Sequence, residues 1–418
     1  MKKIIVTLIV LMLALKTEAQ SSVFTVVDNL LLKGKYLKAL VILDKEKPDT
    51  FEILDKIATI YQTIGNYNKA IQFYEKALNI EDREDVKVKL GAVYNSAGLS
   101  SKAILIYEDI IKKDTSNLLV ANSLGKLYLV KNKATRAEKI YRFLIKKDTL
   151  NPNYPYQLAK SLAKQSKKLA MGQSYLDAFN KDTLHLKSIY ELAKFFKELK
   201  YKDSTMLFIN KGLKIDSVNV NFLQLKANVL YFSKDFIGAI TYLNKLDSLN
   251  FRSINTYEMY GMCYLNLKDY NLAEKYFQKA LRLERNNSKL LYRLGALYYE
   301  KKDFKLAQLY LIQSIMYGRA DLDKQFLLSG IIAKEEFNLK AAIKFFKEAV
   351  KYNRNNVNAL FQLALTSDSY FKDKKIAYKY YKDFVQRFEG KNKKLTLYAK
   401  NRIKEIKKEY FIKGEIVE

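Results

Sequence analysis

The stretch Leu90-Gly91-Ala92-Val93-Tyr94-Asn95-Ser96-Ala97-Gly98-Leu99-Ser100-Ser101-Lys102-Ala103-Ile104-Leu105-Ile106-Tyr107 decides the fold. Leu90, Gly91 and Tyr94 fall on one side of a helix, and Ala103, Tyr107 and Ile110 on one side of a second. Gly98 stands between them as a turn signal. The spacing therefore predicts two antiparallel helices that meet through a small residue, Gly91.

The same arrangement returns along the chain. A small residue stands at Ala58, Gly91, Gly125, Ala159, Ala193, Ala227, Gly261, Gly295, Gly330 and Ala364. Seven of the nine intervals are 34 residues, one is 33 and one is 35, a register that chance does not hold. Twelve residues after the small position comes Ala in seven of ten cases, with Met171, Thr205 and Ile376 as the exceptions. Sixteen residues after it the side chain is always large and apolar, as in Tyr107, Tyr141, Phe277 and Phe346. Three residues after it stands Tyr61, Tyr94, Tyr128, Tyr264 or Tyr298, spaced to pack between helices. Gly65-Asn66 and Lys268-Asp269 mark further turns, and no strand pattern interrupts the series.

A helix-turn-helix unit of 34 residues with these positions resembles the tetratricopeptide repeat. The resemblance runs from Phe51 to Phe388 as ten repeats, after a degenerate first one at Val23–Lys47 with Ala39 in the Ala position. It implies an all-α fold, a right-handed superhelical α-solenoid whose first helices line a concave groove. The Pro frequent at the family's repeat boundary is replaced here by Asp and Asn. The boundaries read Asp114-Thr115-Ser116-Asn117, Asp148-Thr149-Leu150-Asn151, Asp216-Ser217-Val218-Asn219 and Asp247-Ser248-Leu249-Asn250. Such residues are expected to cap the next helix. The organisation expected is a leader at 1–19, a degenerate repeat at 20–50, an array at 51–390 and a capping helix and tail at 391–418, with Leu395–Phe411 as the helix.

Lys2-Lys3, the apolar run Ile4–Leu15 and the small residues Thr17 and Ala19 describe a secretory signal peptide cleaved after Ala19. The run is short for a membrane span. Export to the periplasm or the outer-membrane surface follows as an expectation, with an uncleaved anchor as the alternative. No Cys lies near the cleavage site, so a lipoprotein is excluded.

The chain of 418 residues carries a formal net charge of +30, and only 11 of its 74 cationic residues are Arg. This charge favours acidic partners and anionic envelope surfaces. It also allows the acidic-polymer reading, in which the ligand is cell-wall glycan or lipopolysaccharide. Nucleic acid is disfavoured by the leader.

Chemistry is sparse. One His (His185) and one Cys (Cys263) cannot build a metal cluster or a catalytic triad. No phosphate-binding glycine loop occurs. The carboxylates Glu335-Glu336 and Asp82/Glu84/Asp85 read as solvated faces. No cofactor, metal, small-molecule substrate or enzymatic activity is expected.

The resemblance places inward positions three residues before the small residue and one, four and five after it. In repeats 4 to 7 these are Asn122, Lys126, Tyr156, Lys160, Lys164, Tyr190, Lys194, Lys197, Gln224, Asn228 and Tyr231. Lys126, Lys160 and Lys194 form an expected ladder beside Tyr156 and Tyr190, with Lys attracting carboxylates and Tyr offering a rigid face with a polar tip. Asn122, Lys126 and Lys160 resemble part of the clamp by which a member of the family grips a peptide C-terminus, although the Arg members are missing. In repeat 8 the inward residues are Asn255, Glu258 and Asn266, and in repeat 9 Tyr292, Tyr299 and Glu300. The expected function is an exported, non-enzymatic scaffold that binds an acidic segment of an envelope or secreted protein. A periplasmic chaperone for unfolded clients is the overlapping alternative.

Overall fold

The computed structural model describes residues 23–46 and 50–415. The leader expected at 1–19 lies outside them. The described residues form helices joined by short turns, with no strand among them. The fold is an all-α solenoid of helix pairs.

The chain divides into two compact units, one ending at Lys211 and one beginning at Gly212. In the first unit, a pair at 23–32 and Tyr36–Lys45 is followed by Phe51–Thr63 with Tyr67–Ile80, Glu84–Ser96 with Ser100–Lys113, and Leu118–Val130 with Ala134–Lys147. Asn153–Ala163 with Lys168–Lys181 and the helix Leu186–Glu198 complete it. The partner helix, Lys202–Ile215, contains the division. The second unit holds Val220–Phe232 with Phe236–Ser248, Ile254–Asn266 with Tyr270–Leu283, and Ser288–Glu300 with Phe304–Tyr317. It ends in Asp323–Glu335 with Leu339–Tyr352, Val357–Tyr370 with Lys375–Phe388, and the helix Lys393–Ile412. In the stretch expected to hold the degenerate first repeat, the pair at 23–32 and Tyr36–Lys45 buries Val27 and Ala39 fully.

The repeated small residue has a steric cause. A Cβ on Gly91 would lie 2.4 Å from the Tyr107 ring, and one on Gly261 2.5 Å from Phe277. Gly125 meets Tyr141 and Gly330 meets Phe346 in the same way. The large residue sixteen positions on therefore lies flat against the small one, and each pair closes as a single packing step. Tyr94 and Tyr128 tie successive repeats together. Each is buried, and its hydroxyl donates to Glu75 or Glu108 on the preceding second helix at 2.5 Å. Tyr298 repeats the bond to Glu274 at 2.7 Å in the second unit.

Turns within pairs close as Schellman motifs. The Lys268 amide donates to Leu265 and the Asp269 amide to Tyr264. The left-handed position is Gly at Gly65 and Gly98, but Lys at Lys200, Lys234, Lys268 and Lys302, and Phe at Phe337. Asn66, Asp235, Asp269, Asp303 and Asn338 then cap the second helices with their side chains.

Between repeats the expected capping holds in part. Asp114, Asp148 and Asp216 accept the amide two residues on, while Asn117 and Asn219 cap the following helices. Two boundaries differ. Asn250 takes a left-handed conformation and Ser253 caps instead, because the loop there is longer. Pro152 occupies the cap position before Asn153–Ala163, with Asn151 bonding the Asn153 amide.

The terminal helix, predicted over 395–411, spans Lys393–Ile412. Ala399, Ile406 and Tyr410 bury it against Tyr381, Phe384 and Phe388. Arg402 anchors it to Asp368 through two bonds of 2.7 and 3.1 Å.

Candidate partner-binding face

First helices of successive repeats touch, as Leu118–Val130 does Asn153–Ala163 and Ser288–Glu300 does Asp323–Glu335. At these joints the first helices of neighbouring repeats form one shared face. First helices carry or end on eight of the sequence-predicted residues in the first unit and carry three in the second.

In the first unit, buried Leu124 and Leu127 fix the helix that exposes Lys126, with half-buried Asn122 one turn before it. One repeat on, Leu158, Ala159 and Leu162 are buried and Lys160 is exposed. The Lys160 ammonium lies 5.8 Å from the centre of the Tyr156 ring. Tyr156 is itself held by Tyr175 at 5.7 Å and by His185 edge-on at 5.5 Å. A further repeat on, Lys194 lies 5.4 Å from the centre of Tyr190. The same Lys-over-Tyr step thus recurs at the same register, with the pair one helical turn apart.

The three lysines are not equivalent. Lys126 and Lys160 have no carboxylate partner among the described residues. Lys194 is bonded to Glu191 at 2.9 Å. Lys164 reaches back to the Asn132 side chain at 2.6 Å. Lys197 is half-buried, and that burial pushes its ammonium pKa down. The expected run of cations is therefore two unpaired ammonium groups followed by a paired one. Glu191 was missed at the level of sequence, although a Glu three residues before a Lys on a helix is a recognised pairing distance. The support of Tyr156 by Tyr175 and His185 had no signal in the spacing.

In the second unit, Gln224 and Asn228 are half-buried on Val220–Phe232. Tyr231 packs against Phe232 at 5.3 Å and Phe236 at 5.6 Å, and burial raises its phenol pKa. Glu258 is buried beneath Lys289 at 2.8 Å and Arg293 at 3.3 Å. The inward carboxylate of repeat 8 is thus neutralised by repeat 9 and serves the joint between them.

His185 bonds Ser188 through Nδ1, and burial lowers its pKa. Cys263 is fully buried, which pushes its thiol up to about 12. No cluster of metal-ligating side chains occurs among the described residues, and none of their helices is long and apolar enough to cross a membrane.

The family model of the tetratricopeptide repeat matches residues 51–83 and 254–287. No curated protein matches the sequence. Among solved structures, a tetratricopeptide repeat protein from Parabacteroides merdae is similar at 17% identity and a TM-score of 0.48, over 62% of this chain and 98% of that one. Yeast Tom70 is similar at 13% identity and a TM-score of 0.45, over 94% and 96%. The pilF protein of Pseudomonas aeruginosa is similar at 20% identity and a TM-score of 0.42, over 50% and 94%. With the family matched at two of its helix pairs, one in each unit, the chain carries tetratricopeptide repeats.

Proposed function

We propose that the protein is an exported, non-enzymatic scaffold that holds an extended, acidic segment of another envelope or secreted protein. The segment lies on the first-helix face of the first unit. The observation that carries this reading is the repeated Lys-over-Tyr step of Lys160 on Tyr156 and Lys194 on Tyr190, preceded by unpaired Lys126. An extended chain crossing these helices meets a rigid aromatic face and a cation at each repeat. Lys126 and Lys160 take its carboxylates, and the rings take its apolar side chains. Glu191 limits the acidic contacts to the first two steps.

Crosslinking of the chain in envelope fractions of its own cell, followed by mass spectrometry, tests this. The expected result is one or two abundant protein partners. Lys126→Glu with Lys160→Glu is expected to lower their capture about tenfold or more, with the melting temperature unchanged because both side chains are exposed. Capture that survives both substitutions rejects the face. Recovery of a chain that still begins at Met1 from the soluble cytoplasmic fraction rejects export.

A further inference from the structure

The second helices of the second unit carry a surface that neither the packing nor the proposed partner site uses. Helix Phe304–Tyr317 leaves Leu309, Ile312 and Met316 48, 62 and 64% exposed. Their spacing of three and four residues sets them on one stripe. The second helices on either side show cations instead. Lys275 and Arg282 are exposed on Tyr270–Leu283, and Lys340, Lys344 and Lys347 on Leu339–Tyr352. An exposed apolar stripe is thus bordered on both sides by positive charge.

The loops that follow these helices extend the pattern. Arg252, Arg285, Arg319 and Arg354 stand in four successive inter-repeat loops, at intervals of 33, 34 and 35 residues. The four preceding loops carry Asp114, Asp148, Asp182 and Asp216, each 34 residues from the next. Acid therefore gives way to arginine along the loop series, in a chain that otherwise uses Lys. Six other arginines pair with carboxylates, among them Arg293 with Glu258 and Arg402 with Asp368. The four loop arginines and Arg282 are exposed and form no ion pair among the described residues.

Nearby acids offset only part of this charge: Glu336, bonded to Gln308, and Asp321 are exposed, while others are engaged. Glu274 is engaged by Tyr298 and Lys301, and Glu284 accepts from Asn287. Glu348 faces Lys351 at 3.5 Å. Arg282 and Arg285 line an open groove of about 240 Å³ with Gln278, Leu281 and Tyr310, where a phosphate could be gripped by two guanidinium forks.

We propose that this second-helix face docks the protein on a bilayer containing anionic phospholipid. The apolar stripe enters the boundary between headgroups and acyl chains, and the bordering cations meet lipid phosphates. A soluble polyanion would use the cations but leave Leu309, Ile312 and Met316 in water. An apolar protein partner would cover the stripe but has no use for the surplus charge.

Flotation of the full chain with phosphatidylcholine vesicles, with and without phosphatidylglycerol, tests the proposal. The apolar N-terminal run acts on both vesicle types, so their ratio is the reading. Retention on the anionic vesicles is expected to be about tenfold higher or more, and to fall as salt rises. Arg285→Glu with Lys344→Glu, and separately Ile312→Asp with Met316→Asp, are each expected to remove about tenfold of that excess. All four side chains are exposed, so melting temperatures should hold. Equal retention on both vesicle types, or charge variants that bind like the wild type, overturns the proposal. Loss on charge reversal without loss in the Ile312/Met316 variant overturns it in favour of a soluble polyanion. Lys126→Glu with Lys160→Glu should leave flotation intact, so this surface and the partner site fail or stand separately.

Discussion

At Gly91 the space for a side chain is already taken by the ring of Tyr107. Gly91→Ala forces that ring, or the helix beneath it, to move. The expected cost is about 1–3 kcal/mol, read from thermal or urea denaturation. The partnership was legible in the sequence, because small and large residues alternate at fixed offsets in every repeat. What was not legible is the last bond of each side chain. Spacing puts Lys194 on the same face as Lys126, but only the rotamers show that Glu191 has claimed it. The candidate site could therefore be read as a list of positions and not as a charge distribution.

At the scale of elements, turns and termini hold the interest. Gly65, Gly98 and Lys268-Asp269 announced their turns, whereas Lys234 and Lys302 adopt the same left-handed backbone without any such signal. Sequence could place those turns only through the repeat length. A Cβ is strained in that region, so Lys302→Gly is expected to stabilise by about 1 kcal/mol, seen as a higher urea midpoint at unchanged slope. The terminal helix depends on Asp368. Burial works to raise its carboxyl, but the bonds and charge of Arg402, with Lys374, outweigh it and hold the group below the usual carboxylate range. A depressed folded value contributes stability above the unfolded carboxylate pKa, which is lost as pH falls through the folded value. Asp368→Asn should cost about 1–3 kcal/mol near neutral pH and speed amide exchange over residues 393–412. It should also flatten the acid limb of the stability curve. An unchanged acid limb would show that other carboxylates carry it.

Across the whole molecule, charge is the least balanced quantity. A net +30 opposes compaction in dilute buffer, and salt screens it within a Debye length of about 8 Å at physiological ionic strength. The melting temperature is therefore expected to rise with added sodium chloride. A fall would mean that ion pairs such as Lys89 with Asp55 outweigh the repulsion. The helix pairs were legible from periodicity, and the solenoid from the family resemblance which that periodicity carries. The division after Lys211 was not, because the 34-residue spacing runs through it and Gly212 lies inside the helix Lys202–Ile215.

The burial of Cys263 has a practical side. Alkylating reagents are attacked by the thiolate, and a thiol pushed up to about 12 in a fully covered site offers almost none at neutral pH. The natural chain is thus silent to maleimide chemistry without any substitution at its single cysteine. Lys126→Cys or Lys160→Cys introduces a unique attachment point for a dye or a spin label. A reporter there would register the seating of a partner directly, on an otherwise unaltered protein.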